Sequence, residues 1–291
     1  MIILIVLGNI FNICVLLYNN NLRNVTGSFM VALACADLSL GLFGLPFMVR
    51  PALEGRWVYT KSACDFCGFI STTLIITSVL LLFDLSVDRY IWIAKPVKHY
   101  KIMTGKRCAA MIASSWLVAA VYSATPFFGW GSFVYNYKMS TCTLGIFTDI
   151  YFGTAFFAIS LPPIFAMCFL NLKILRIARR QTRTIRHASQ IPRTSEAFPV
   201  TSFKPAMTVG IVVTTCVVSL LPLIVSYTYS MFSNNDLPSD LVFAFTFLLI
   251  SNSFWNCIIY SATNTTFRQG AKKFVLRVKK ILLDLVSECD R

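Results

Sequence analysis

Seven separate stretches of this sequence are apolar over the length a helix needs to cross a lipid bilayer. They lie near residues 1–17, 28–53, 62–93, 108–128, 149–177, 203–232 and 240–260. A spanning helix takes about 20 mostly apolar residues, because each residue adds only ~1.5 Å and every backbone polar group must be satisfied within the helix. The expected fold is therefore an all-α membrane protein, a seven-transmembrane helix bundle. Composition agrees: of 291 residues, 56% are hydrophobic and 13% charged, which excludes an ordinary soluble enzyme. No nucleophile–base pair, metal motif or phosphate loop stands out, so no catalytic residue is assigned.

A net charge of +14 would suit a nucleic-acid partner if it sat on a soluble face. It sits instead in the short connections between apolar runs. Twenty-two of the 26 lysines and arginines fall on one side of the bundle, leaving Arg50, Arg56, Lys61 and Lys138 on the other. Basic loops stay cytoplasmic, so the amino terminus is expected outside, the carboxyl terminus inside the cell, and nucleic acid is not expected as a partner. The first span starts at Met1 without a basic leader or a small-residue cleavage site; either it inserts as its own signal or the amino terminus is truncated. Two glycosylation sequons, at Asn24 and Asn264, fall on the cytoplasmic side and are expected to be silent. Residues 1–262 then form the bundle and 263–291 a tail. Within the tail, residues 267–286 set Phe267, Phe274 and Leu282 among lysines and arginines at helical spacing. That pattern reads as an amphipathic cytoplasmic helix on the anionic lipids of the inner leaflet, with a disordered basic tail as the alternative.

Short motifs recur in order along the spans: Gly8-Asn9, Leu33-Ala34-Cys35-Ala36-Asp37, Asp88-Arg89-Tyr90, Trp116, and Asn256-Cys257-Ile258-Ile259-Tyr260, with Pro126, Pro163 and Pro222 in the fourth, fifth and sixth. In this order and spacing the chain resembles a rhodopsin-like (class A) G-protein-coupled receptor over nearly its whole length. The connection Tyr90–Thr104 is similar to that of the amine, adenosine and melatonin branch.

The resemblance implies roles. Asp37 is an acid deep in an apolar helix, costly unless it meets a polar cavity or counter-ion. In the family this acid, with positions matching Asn9, Ser78, Asn252, Ser253 and Asn256, forms a polar network around a sodium ion; a hydrogen-bonded network without an ion is the alternative. Asp88, Arg89 and Tyr90, with Asn256 and Tyr260, are implied as the activation switch, Arg89 meeting a heterotrimeric G protein when the sixth helix swings outward. A snorkelling interfacial Arg is the plain alternative. Cys64 and Cys142 are implied as a disulfide on the outer face. Pro126, Pro163 and Pro222 are implied as helix bends.

Several positions depart from the family pattern. Ser202 stands where an inactive-state acid is usual, Asn171 where the fifth helix carries a Tyr, Leu220 where the sixth carries a Trp, and Cys257 where the seventh carries a Pro. Activation is altered, constitutive or lost accordingly. Amine receptors pair the ligand ammonium with an acid in the third helix, and the matching residue is Ser71. The expected pocket, Ser71, Thr72, Ile75, Ala155, Phe156, Ile159, Leu223, Ile224, Tyr227 and Thr246, is mostly apolar with a few hydroxyls and favours a small neutral or lipophilic ligand.

Asp84 has no family counterpart. It is a neutral buried acid, a partner of a fourth-helix hydroxyl such as Ser114 or Ser115, or a group reaching toward the basic loop. The chain is thus read as a plasma-membrane receptor without enzymatic chemistry. A seven-helix ion or proton conductor relaying through Asp37 and Asp84, and a non-signalling decoy, are the competing functions.

Overall fold

The computed structural model describes residues 1–145, 150–188, 203–233 and 237–289. The described residues include ten α-helices and one short hairpin. The spans are α1 (Ile2–Tyr18), α2 (Val25–Ser39) continued into α3 (Pro46–Glu54), α4 (Lys61–Ala94), α6 (Gly105–Ser123), α7 (Ile150–Ala188), α8 (Phe203–Ser233) and α9 (Ser239–Thr263). The short α5 (Pro96–Ile102) follows α4, and α10 (Thr265–Cys289) follows α9. Together they form the seven-helix membrane bundle, with the hairpin β1 (Phe133–Asn136) and β2 (Thr141–Leu144) added to it.

Local chemistry sets the ends of these helices. Thr60 and Thr104 cap α4 and α6, accepting from the backbone N–H of Ala63 and Arg107. Asn24 accepts from Gly27 N at the start of α2, and Asn264 from Phe267 N at the start of α10. Both sequon asparagines thus serve as helix caps. Pro96 stops α4 and opens α5, because the residue before a proline is pushed out of the helical region.

The second span is not one regular helix. Residues Leu40–Gly44 make a π turn, Leu45 N bonding Leu40 O at 3.0 Å. Gly44 lets this bulge approach α4, since a Cβ there would lie 2.9 Å from Ser71 Oγ. Pro126 corrects the expected bend in the fourth span: α6 already ends at Ser123, and Pro126 lies in the following turn, Thr125–Phe128. It closes that helix instead of kinking it. Pro163 and Pro222 do lie inside α7 and α8.

Burial is inverted relative to a soluble protein. Large apolar side chains such as Leu117 (64% exposed), Val121 (61%) and Phe165 (66%) face outward, while Asn9, Asn12, Asp37 and Asp88 are buried. An exterior of this kind suits hydrocarbon and places the polar groups along the bundle axis. α4 is the central helix, packed against α2, α6, α7 and the hairpin. At the other end of the chain, α10 folds back on α1: Phe267 is fully buried against Tyr260 and Phe11, and Phe274 meets Phe11 and Tyr18 edge to face. Its other apolar side chains, Val275, Leu276 and Ile281, are exposed among the basic ones.

Candidate functional site

Three polar or hollow regions follow one another along the bundle axis. At the end that carries the hairpin, Cys64 and Cys142 form a disulfide with Cα atoms 5.3 Å apart. Tyr135 and Cys142 are paired across the hairpin, so the bond fastens β2 to the start of α4. Phe133 of the neighbouring strand lies against Gly68, where a Cβ would come within 2.4 Å of its ring.

Under this roof lies a cavity of about 150 Å³. Ser71, Thr72, Ile75, Leu223, Ile224, Tyr227 and Thr246 all line it. Ala155, Phe156 and Ile159 belong to a part of α7 whose side chains lie outside the described residues. The hairpin contributes Met139, Thr141 and Thr143, none of which the periodicity of the spans could indicate, and Tyr227 Oη donates to Met139 Sδ at 3.3 Å. Leu220 forms part of the lining below. The polar groups at the wall are hydroxyls; no charged side chain lines it among the described residues.

Midway along the axis Asp37, 1% exposed, gathers three helices. Its Oδ1 accepts from Ser253 Oγ at 2.8 Å and Ser78 Oγ at 3.3 Å, and its Oδ2 from Asn256 Nδ2 at 2.9 Å. Two expected members do not touch the carboxylate. Asn9 Nδ2 donates instead to Ile5 O and Ser253 O, and Asn252 is buried one turn before Asn256 with its Oδ1 unpartnered. Asn256 Oδ1 is likewise unpartnered. Cys257, where a proline is usual, lets α9 run through without a break, and its thiol accepts from Asn12 Nδ2 at 3.1 Å.

At the end with the basic loops, Asp88 is fully buried and holds two helices to α4. Oδ2 accepts from Thr26 Oγ1 at 2.6 Å and Oδ1 from His99 Nε2 at 2.8 Å. Arg89 is more loosely placed: its Nε lies 3.7 Å from Asp88 Oδ2, and its guanidinium stands over Trp92 at 5.4 Å. Tyr90 turns toward α7, where Lys173 Nζ sits 5.7 Å from its ring. Tyr260 Oη and Asn171 Oδ1 are both buried and unpartnered; Asn171 donates only to Met167 O of its own helix. Ser202 lies outside the described residues. Thr26 and His99 are the members that sequence reasoning missed. A threonine at the very start of a helix and a histidine among lysines carry no pattern of their own.

Asp84 lies one turn from Asp88 on α4, and the hydroxyl that reaches it is that of Ser115, which donates to Oδ2 at 2.8 Å. Ser114 bonds back to Met111 O.

Residues 8–260 match the family described as 7 transmembrane receptor (rhodopsin family). Among curated proteins the chain is similar to the histamine H2 receptor of Homo sapiens, 28% identical over 276 residues covering 93% of this chain and 76% of the relative. It is similar also to G-protein coupled receptor 52 of Mus musculus (29% identity, 93% and 77% covered) and to adenosine receptor A2a of Cavia porcellus (27%, 94% and 70%).

Proposed function

Since the chain belongs to the rhodopsin family of seven-transmembrane receptors, we propose that it binds a small, neutral, largely apolar molecule under the hairpin and promotes nucleotide exchange on a heterotrimeric G protein at its basic end. The observation that carries this reading is the cavity beside Ser71, walled by apolar side chains and hydroxyls, with no charged side chain among the described residues. A cationic ligand would lose its water there without gaining a counter-charge. The relatives thus supply the architecture, and the wall chemistry argues against a cationic amine as the ligand.

The loop charges support an extracellular amino terminus, a cytoplasmic tail and residence in the plasma membrane. Exposed Val275, Leu276 and Ile281 beside Lys272, Lys273, Lys279 and Lys280 support α10 as a helix lying on anionic lipid. Asp37 with the hydroxyls of Ser78 and Ser253 and the free amide oxygens of Asn252 and Asn256 supplies oxygen donors suited to sodium. These residues would hold the ion, whose charge would offset that of the buried carboxylate. Signal transmission, in this reading, runs from the cavity through Asp37 to Arg89, with Tyr260 Oη and Asn171 Oδ1 a donor and an acceptor ready to pair when the helices shift.

The ligand part is tested by screening neutral lipophilic compounds against amines for G-protein dissociation in expressing cells, in parallel with Ile75→Trp. The indole fills the cavity, so a neutral agonist is expected to lose at least tenfold in potency, about 1.4 kcal/mol, with surface expression unchanged. A response only to amines, or an unchanged potency in Ile75→Trp, overturns the assignment.

A further inference from the structure

Two hydroxyls meet between α8 and α9 at the basic end of the bundle. Thr208, in the second turn of α8, and Thr263, the last residue of α9, share a hydrogen bond at 2.7 Å between their Oγ1 atoms. Ser202 brings no charge that could hold α8 inward. We infer that Thr208 and Thr263 do so instead, as positioning residues that keep Arg89 covered, and that losing their bond switches G-protein exchange on without a ligand. This rests on the exchange activity proposed above.

Neighbouring hydroxyls behave differently. Thr214 and Thr215 of α8 donate to Gly210 O and Ile211 O, and Ser261 of α9 donates to Cys257 O, each within its own helix. Thr208 reaches across to α9. It is 1% exposed and follows the buried face that carries Val209, Val212 and Val213, an apolar setting in which a hydrogen bond is strengthened. Thr263 Oγ1 is also bonded to Ile259 O at 2.6 Å, which holds that hydroxyl in place for its partner.

Of the two helices, α9 is the fixed side. Thr263 leads directly into Asn264, which caps α10, and Phe267 is fully buried against Tyr260. The helix that leaves when the bond breaks is therefore α8. Arg89 is only 8% exposed with α8 in place, so the arrangement seen is one that keeps it from a protein partner.

The opened arrangement has a bond waiting for it. Asn171 Oδ1 of α7 is buried without a partner and is the atom that a Cβ at Gly210 would meet, at 3.9 Å, two residues beyond Thr208. Tyr260 Oη, one turn before Thr263 on α9, is buried and unpartnered as well. The closed bundle keeps the threonine pair and leaves this donor and acceptor apart; a bundle with α8 displaced gives up the pair and lets them meet. One hydrogen bond replaces another, so the two arrangements lie close in free energy and a single hydroxyl sets their ratio.

The test measures ligand-independent GTP-analogue uptake by purified heterotrimers with the full chain in lipid nanodiscs. Thr263→Val and Thr208→Val keep the side-chain shape without the hydroxyl, and each is expected to raise the rate about three- to tenfold, the range for an interhelical hydrogen bond inside a bilayer. The double variant is expected to match either single one, since both remove the same interaction. Thr263→Ser retains the hydroxyl and is expected to stay at the wild-type rate, as is Ser261→Ala, whose bond lies within α9. Thermal unfolding is recorded for each variant, so that a faster rate at near-equal stability is separated from misfolding. In parallel, spin labels on ketone-bearing residues placed at Thr214 and Ala262 report the distance between the two helices without G protein, which is expected to lengthen in Thr263→Val and not in Thr263→Ser. Valine variants no faster than wild type, or a serine variant as fast as the valine one, overturn the inference. If neither wild type nor any variant exchanges, the receptor reading has failed, and the label distance still decides the latch: an equal distance in wild type and Thr263→Val overturns it.

Discussion

Replacing Cys142 with serine is expected to lower the unfolding temperature of the purified chain by about 5–10 °C. The disulfide closes a loop of 78 residues, for which the chain-entropy account gives about 4.5 kcal/mol. That figure is an upper bound here, since helices that stay inserted leave the unfolded chain already constrained. At roughly 2–4 °C per kcal/mol for a large domain, a loss of two to three kcal/mol gives the stated shift. The bond also fixes the roof of the cavity, because Thr141 and Thr143 flank Cys142 in the wall. Ligand affinity is therefore expected to fall with stability. Cys64→Ser, Cys142→Ser and the double variant should be equivalent, as partners in one interaction are not additive. Cys67→Ser serves as control: its thiol lies one turn along α4 and meets Thr141 Oγ1 at 3.5 Å without joining the bond. Additive losses in the double variant would contradict the account.

Asp37→Ala carries the second large effect. It removes the acceptor of three donors on two helices, Ser78 on α4 and Ser253 and Asn256 on α9, all inside the bundle. Each buried group left unpaired costs about 1–3 kcal/mol in soluble proteins; inside bilayers the measured values run nearer 0.6 kcal/mol, because the loosened groups find other partners. A total of about 2–4 kcal/mol follows, read as a fall in thermal stability. Asp37→Asn separates the two readings of the cluster. If the oxygens hold sodium, replacing potassium by sodium stabilises wild type by mass action and leaves Asp37→Asn unmoved. Equal stability of wild type in the two salts would leave a hydrogen-bonded network and remove the ion from the account.

Much of this fold was legible from the chain because hydrocarbon imposes so few solutions. Backbone groups satisfied only within a helix make apolar length a direct measure of a span, and buried acids in such runs, Asp37 and Asp84, announce polar partners in advance. The partner of Asp84 came from the fourth span, as one of its alternative readings had it. Tertiary detail was less visible. The π turn at Leu40–Gly44 holds two glycines that permit close approaches, Gly41 to Ile5 and Val6 and Gly44 to Ser71, and hydropathy does not register a bulge. The hairpin strands are four residues each and owe their place to the disulfide and to Gly68, not to strand length. The bend that the family resemblance implies at Pro126 falls instead in the turn Thr125–Phe128, because α6 ends at Ser123. His99 sits in a segment of lysines that looks like solvated surface. Only the fold of α5 against α4 turns that one side chain inward, onto Asp88.

The central claim is that Arg89 conveys a state of the bundle to a G protein. It is tested by GTP-analogue uptake on purified heterotrimers mixed with the chain in lipid nanodiscs, wild type against Arg89→Ala. Arg89 makes only a long ion pair and a stacking contact, so its removal should leave folding intact. The account predicts accelerated uptake with wild type and a rate indistinguishable from empty nanodiscs with Arg89→Ala, at equal thermal stability. Uptake by Arg89→Ala at the wild-type rate would contradict it, as would a wild type that accelerates no heterotrimer, with or without an agonist of its cavity.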